Sequence, residues 1–230
     1  MKLFFTMYDK IIMRILPHLD NFRRSILPIR VEPAGKERIL GDWTSEGTGI
    51  IVHADQKRTV ILTAAHVVIP EEIRFTRIRL GINPLSPNFN IHAKIPGGKE
   101  FTADCLPIND LEREVAFLVA DTADIGEILP SIPIASEHNL SILDYWVVGY
   151  QTPSMLEGST LIGHRLKIRD IGSSFFYLPG KLYHGYSGGP LFEANGSTIL
   201  GIISGVLTVG SPVIYGPTYA SIKKCFQFSL

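Results

Sequence analysis

Three residue types in this chain carry the chemistry. His66 follows an apolar run in TVILTAAHVV (59–68), and Ser187 stands among glycines in YHGYSGGPLF (183–192). Between them, DLEREVAFLVAD (110–121) opens an apolar run on Glu114. A serine hydroxyl is a weak nucleophile and needs a neighbouring base to take its proton. Histidine, with a near-neutral pKa, is the usual base. A carboxylate fixes the imidazole tautomer and stabilises the imidazolium that forms. Glycines beside the serine let backbone N–H groups approach a reacting carbonyl. The N–H groups of Gly185 and Ser187 are the candidate oxyanion donors, worth about 3–4 kcal/mol each. The set points to nucleophilic acyl transfer. No CxxC or HExxH occurs, so no metal site is expected, and this chemistry needs no cofactor.

The elements that must position these residues read as short strands. GTGIIVHA (47–54), TVILTAA (59–65), RFTRIRL (74–80), EFTADCLPI (100–108) and EVAFLVA (114–120) form a first group. A second group holds DYWVVGY (144–150), STLIGHRLKI (159–168), SFFYLPG (174–180), GGPLFEA (188–194), TILGIISGVLTV (198–209) and PTYASI (217–222). Asn195-Gly196 is the strongest hairpin signal. With 21 Gly and 15 Pro the chain is rich in turns. Two groups of short strands predict an all-β protein, joined by a link near 129–140 and entered through a linker over 31–42. No long helical period follows residue 30 except a short turn around 221–228.

TAAH together with GYSGGP resembles the chymotrypsin-like (trypsin-fold) serine peptidases, and within them the bacterial, disulfide-free branch that includes the HtrA/DegP-like proteins. The resemblance covers roughly residues 43–225. It implies two six-stranded Greek-key β-barrels with the site in the cleft between them, preceded here by an N-terminal amphipathic helix. The implied domains are 1–40 (helix and linker), 41–135 (first barrel) and 136–230 (second barrel). It implies a serine endopeptidase acting on protein or peptide substrates through an acyl-enzyme. His66 takes the place of the base, Ser187 of the nucleophile and Gly185 of the oxyanion glycine. Ser204 and Gly205 match the start of the strand that binds substrate backbone. Three departures stand out. The family's acid is normally Asp; here the frame reads Glu114-Val115-Ala116-Phe117-Leu118, with Asp110 and Asp121 as alternatives. Tyr186 replaces the Asp that receives a new N-terminus on zymogen cleavage, so activation by that salt bridge is not expected. Val67 replaces a disulfide cysteine.

GYSGG also satisfies the G-x-S-x-G elbow of α/β-hydrolases, but that order requires a histidine after the serine. None follows Ser187; the last is His184. A subtilisin order using Asp42 conflicts with the strand-rich pattern. A catalytically inactive trypsin-fold binding module is the remaining alternative, with Glu114 as the place where decay would begin. His184, three residues before the nucleophile, is expected to line the cleft. Lys181 would favour acidic side chains if it points into the primary pocket. His18, His53, His92, His138 and His164 have no partner motif.

Lys and Arg number 22, as do Asp and Glu, so the net charge is zero and no nucleic-acid partner is expected. Residues 1–30 nonetheless carry +4 and the rest −4. The apolar positions Phe4, Phe5, Tyr8, Ile11, Ile12, Ile15, Leu16 and Leu19 have helical spacing. This basic amphipathic helix could contact a membrane surface or pack on the domain that follows. Asp9, Lys10 and Arg14 break any signal-peptide h-region, so a cytoplasmic location is expected over a secreted one. The uncharged run 194–222 is broken by Gly and Pro, which suits buried strands rather than a membrane span. Cys105 and Cys225 are too few for a disulfide framework.

Overall fold

The computed structural model describes residues 22–35, 41–81, 89–107, 113–136, 144–151, 160–167, 170–172, 174–180, 182, 184–193, 198–207 and 212–227. The helix expected in residues 1–21 lies outside them, as do Asp110, Lys181 and the Asn195-Gly196 turn.

Six strands form a closed barrel in the order β1-β2-β3-β6-β5-β4. They are β1 (Ile26–Pro33), β2 (Ser45–Ala54), β3 (Arg58–Ala64), β4 (Phe89–Lys94), β5 (Glu100–Cys105) and β6 (Val115–Asp121). Antiparallel pairing of β1 with both β2 and β4 closes the ring. The spatial run β4-β1-β2-β3 is a Greek key. β3 and β6 pair along their whole length, from Arg58↔Asp121 to Ala64↔Val115. Both are nearly continuous apolar runs and are buried almost throughout.

β1 corrects the expectation of a helix-and-linker lead through residue 40. Pro28 and Pro33 make ILPIRVEP a poor strand on sequence. Pro28 lies just ahead of the first β4 pair, Ile29↔Ala93, where its missing N–H interrupts no β1–β4 pair. Ile26, Leu27, Ile29 and Val31 are fully buried. A second correction concerns RFTRIRL (74–80). It is no strand but part of α2 (Glu71–Arg79), which follows the single turn α1 (Ala65–Val68). Pro70 precedes the first turn, Glu71 and Glu72 open it, and Arg77 and Arg79 close it, the charge order a helix dipole favours. Phe75, Ile78 and Leu80, the apolar positions that suggested a strand, stay about half exposed.

The turn α3 (Thr122–Ile125) leads into an extended link. That link is packed rather than loose. Leu129 and Ile132 join the first core, and Ile132 N–H donates to Ile51 O at 2.8 Å. Ala135 joins the second core, and Ile134 bridges Ile199. The second half holds β7 (Asp144–Gln151), β8 (Thr160–Lys167), β9 (Asp170–Ile171), β10 (Phe175–Pro179), β11 (Pro190–Glu193), β12 (Ile199–Ile202), β13 (Gly205–Leu207) and β14 (Val213–Pro217). Among the described residues these form two four-stranded sheets, β12-β11-β7-β8 and β13-β14-β10-β9, rather than a closed six-stranded ring. The bridge Gly201↔Thr218 links them. The C-terminal turn expected at 221–228 is a nine-residue helix, α4 (Tyr219–Gln227). Among the described residues no helix is long and apolar enough to cross a membrane.

Candidate active site

The β3–β6 register sets the first half of the site. Ala64 faces Val115, so the residues just past that pair, His66 in α1 and Glu114 before β6, fall at the same barrel end. Ala65 N–H donates to Glu114 O at 3.1 Å. His66 Nδ1 lies 2.8 Å from Glu114 Oε2. Ser204 Oγ donates to the same oxygen at 3.2 Å. Ser204, expected on sequence in the wall that binds substrate backbone, turns its hydroxyl to the carboxylate. Burial raises the Glu114 pKa, but the hydrogen bond and charge of His66, with the Ser204 bond, outweigh it and hold the group below its usual value. Of the alternative acids, Asp121 is exposed at the opposite end of β6, roughly 20 Å along the strand.

A depressed carboxylate pKa has a stability consequence. Glu114 stabilises the folded state above its unfolded pKa, and that contribution disappears as pH falls through the folded pKa. Wild type is therefore expected to lose its thermal-stability advantage over Glu114→Gln on acidification below about pH 4. Paired melts at pH 7 and pH 3 check this; a constant difference would contradict it.

The second half of the site is the 184–189 turn between β10 and β11. Gly185 and Gly188 have φ of 95° and 84°, the region open to glycine. The turn is tied to the first barrel by Thr48, which sequence reading missed. Thr48 N–H donates to Ser187 O at 2.7 Å. Its Oγ1 donates to Gly185 O at 2.6 Å and accepts from Tyr150 N–H at 3.0 Å. Gly188 N–H and Gly189 N–H donate to Ile203 O and Tyr186 O, at 2.7 and 2.8 Å. The only sequence signal for Thr48 was a buried-type polar residue between Gly47 and Gly49 in an apolar run. Both glycines are needed for clearance: a Cβ at 47 would lie 2.8 Å from Ser187 O, and one at 49 would lie 2.3 Å from Ile29.

Within this turn the N–H groups of Gly185 and Ser187 have no hydrogen-bond partner among the described residues. Ser187 Oγ donates weakly to Ser204 O at 3.4 Å. Tyr186 is buried inward, its ring 5.7 Å from that of His164. A Cβ at Gly149 would meet Tyr186 at 2.8 Å, so glycine there makes room for it. His66, Glu114, Ser187, Ser204, Gly205 and His184 all line one cleft of about 600 Å³.

Residues 47–202, spanning every one of these groups except Ser204 and Gly205, match the family model of the trypsin-like peptidase domain. The chain belongs to this family. It is a trypsin-like serine peptidase, a hydrolase. No curated protein sequence matches the chain. Among solved structures, the active form of the Rv3671c protease of M. tuberculosis is similar at 21% identity and TM-score 0.68, over 94% of this chain and 86% of that one. The serine endoprotease of Yersinia pestis is similar at 19% identity and TM-score 0.62, over 91% of this chain and 64% of that one. At these identities the two structures support the fold. In this trypsin-like peptidase neither Cys105 nor Cys225 forms a disulfide. Burial, reinforced by Asp104, pushes the Cys105 thiol up to about 12, which disfavours its reactive thiolate form. Among the described residues no group of three or more His, Cys, Asp or Glu could hold a metal ion.

Proposed function

We propose that the chain cleaves peptide bonds through an acyl-enzyme on Ser187. His66 Nε2 takes the Ser187 proton as Oγ attacks the scissile carbonyl, then delivers that proton to the leaving amine. Water enters by the reverse path and releases the acid. Glu114 holds His66 with Nδ1 protonated and balances the imidazolium charge. The N–H groups of Gly185 and Ser187 bind the oxyanion. His184, Ser204 and Gly205 are assigned to the substrate-binding wall.

The observation that carries this reading is the 2.8 Å His66–Glu114 contact, in one cleft with a serine whose own N–H and that of Gly185 have no partner among the described residues. Glutamate thus reaches the histidine in place of the more usual aspartate. Ser187 Oγ rests on Ser204 O at 3.4 Å and is proposed to turn to His66 when substrate binds, since catalytic hydrogen bonds are commonly loose before then. The domain division belongs to the same proposal. A basic amphipathic lead that docks on the body or on a membrane surface precedes the first barrel, whose start moves to Ile26. The two sheets of the second half act as the barrel's counterpart across the cleft.

A fluorophosphonate probe tests the assignment. Wild type should gain one adduct, mapped to Ser187 by peptide mass, and Ser187→Ala should gain none while melting as wild type does. Folded wild type that takes no label, or takes it elsewhere, would overturn the proposal.

A further inference from the structure

Glu114 is the only non-glycine with positive φ among the described residues, at 57°. This left-handed region is unfavourable for L side chains because Cβ crowds the following carbonyl. The strain sits on the residue assigned as the acid and is over-determined by its contacts. The Glu114 carbonyl accepts from Ala65 N–H, and its Oε2 contacts Nδ1 of His66, the next residue of α1. One residue later, Val115 is already locked opposite Ala64. Main chain and carboxylate of one residue are therefore bound to two successive residues of α1. The side chain has to turn back beside its own carbonyl. Continued extended backbone would project it along the strand's ordinary alternation instead.

We propose that the left-handed backbone at Glu114 is a positioning device matched to the length of glutamate. It sets Cα back from His66, and the additional methylene makes up the distance. The consequence is that aspartate, the family's more usual acid, cannot substitute here. This inference rests on the assignment of Glu114 as the acid.

The test compares wild type, Glu114→Asp and Glu114→Gln in the full chain. Aspartate tolerates the left-handed region better than glutamate but forfeits the His66 and Ser204 contacts that stabilise wild type, so Glu114→Asp should fold and melt no lower than Glu114→Gln. Its maximal fluorophosphonate inactivation rate should nevertheless fall about 100-fold or more, with the probe's KI unchanged. The low-field proton resonance of the His66 Nδ1–H, expected in wild type, should be absent. A Glu114→Asp protein that reacts within about 3-fold of wild type and keeps the resonance overturns the device. So does one that melts clearly below Glu114→Gln. Failure of the underlying assignment looks different: Glu114→Gln would then react as wild type does.

Discussion

Replacing His66 with alanine is expected to lower peptide-bond hydrolysis about a million-fold while leaving the fold intact. The size follows from the proposed division of labour. Without a base, the Ser187 hydroxyl must be deprotonated by water, and no group remains to protonate the leaving amine. The oxyanion donors still act, so a residual rate about a thousand-fold above water remains. Stability should fall by about 1–2 kcal/mol, because the Glu114 carboxylate keeps Ser204 but loses its His66 partner. The His66 side chain is 28% exposed, and its sole partner among the described residues is Glu114. The substitution leaves that carboxylate open to the cleft and opens no core cavity. Single-turnover fluorophosphonate labelling with a parallel thermal melt measures both quantities. Wild-type labelling in a folded His66→Ala protein would remove His66 from the mechanism.

Substitution of Gly188 by alanine is expected to cost about 3–5 kcal/mol of stability, combining backbone strain, overpacking and lost buried hydrogen bonds. Labelling should be lost as well. Gly188 has φ of 84°, and a Cβ there would lie 2.0 Å from Thr48 O and 2.3 Å from Thr63 Oγ1. Neither atom can retreat easily. Thr63 Oγ1 donates to Thr48 O at 2.8 Å, and Thr48 N–H holds Ser187 O. Relief of the clash therefore pushes the nucleophile turn out of the barrel end that seats it. Gly41→Ala is the control. Its φ is 97°, but nothing lies within 4 Å of the added Cβ, so it should cost only about 1 kcal/mol. Urea unfolding of both variants separates strain from collision. Equal stabilities would mean that the turn is not seated against Thr48.

The fold is partly readable in the sequence. Runs such as RTVILTA and VAFLVAD are so strongly apolar that they become buried strands wherever they pair. RFTRIRL is a helix segment that turns Phe75 and Ile78 outward and buries Arg77, with Pro70 and the flanking charges favouring helix over strand. ILPIRVEP failed because proline is a local veto, and only the position of β4 shows that Pro28 interrupts no β1–β4 pair.

For the site, residue identity alone selected the chemistry. A histidine after TAA, a serine within GYSGGP and an acid opening VAFLVA are local patterns, and their chemical meaning does not depend on distance. The sequence by itself therefore picked out the proposed nucleophile, base and oxyanion turn and the reaction class they suit. Tertiary structure decided what joins them. Glu114 meets His66 across 48 positions, and Thr48 meets Gly185 across 137. Ser204 turns its hydroxyl to Glu114 across 90. The left-handed turn that brings a glutamate into reach is invisible in the letters EREVAF. Such contacts depend on strand register and on the approach of the two halves. Neither is encoded in a short stretch of chain; both arise when the whole core closes.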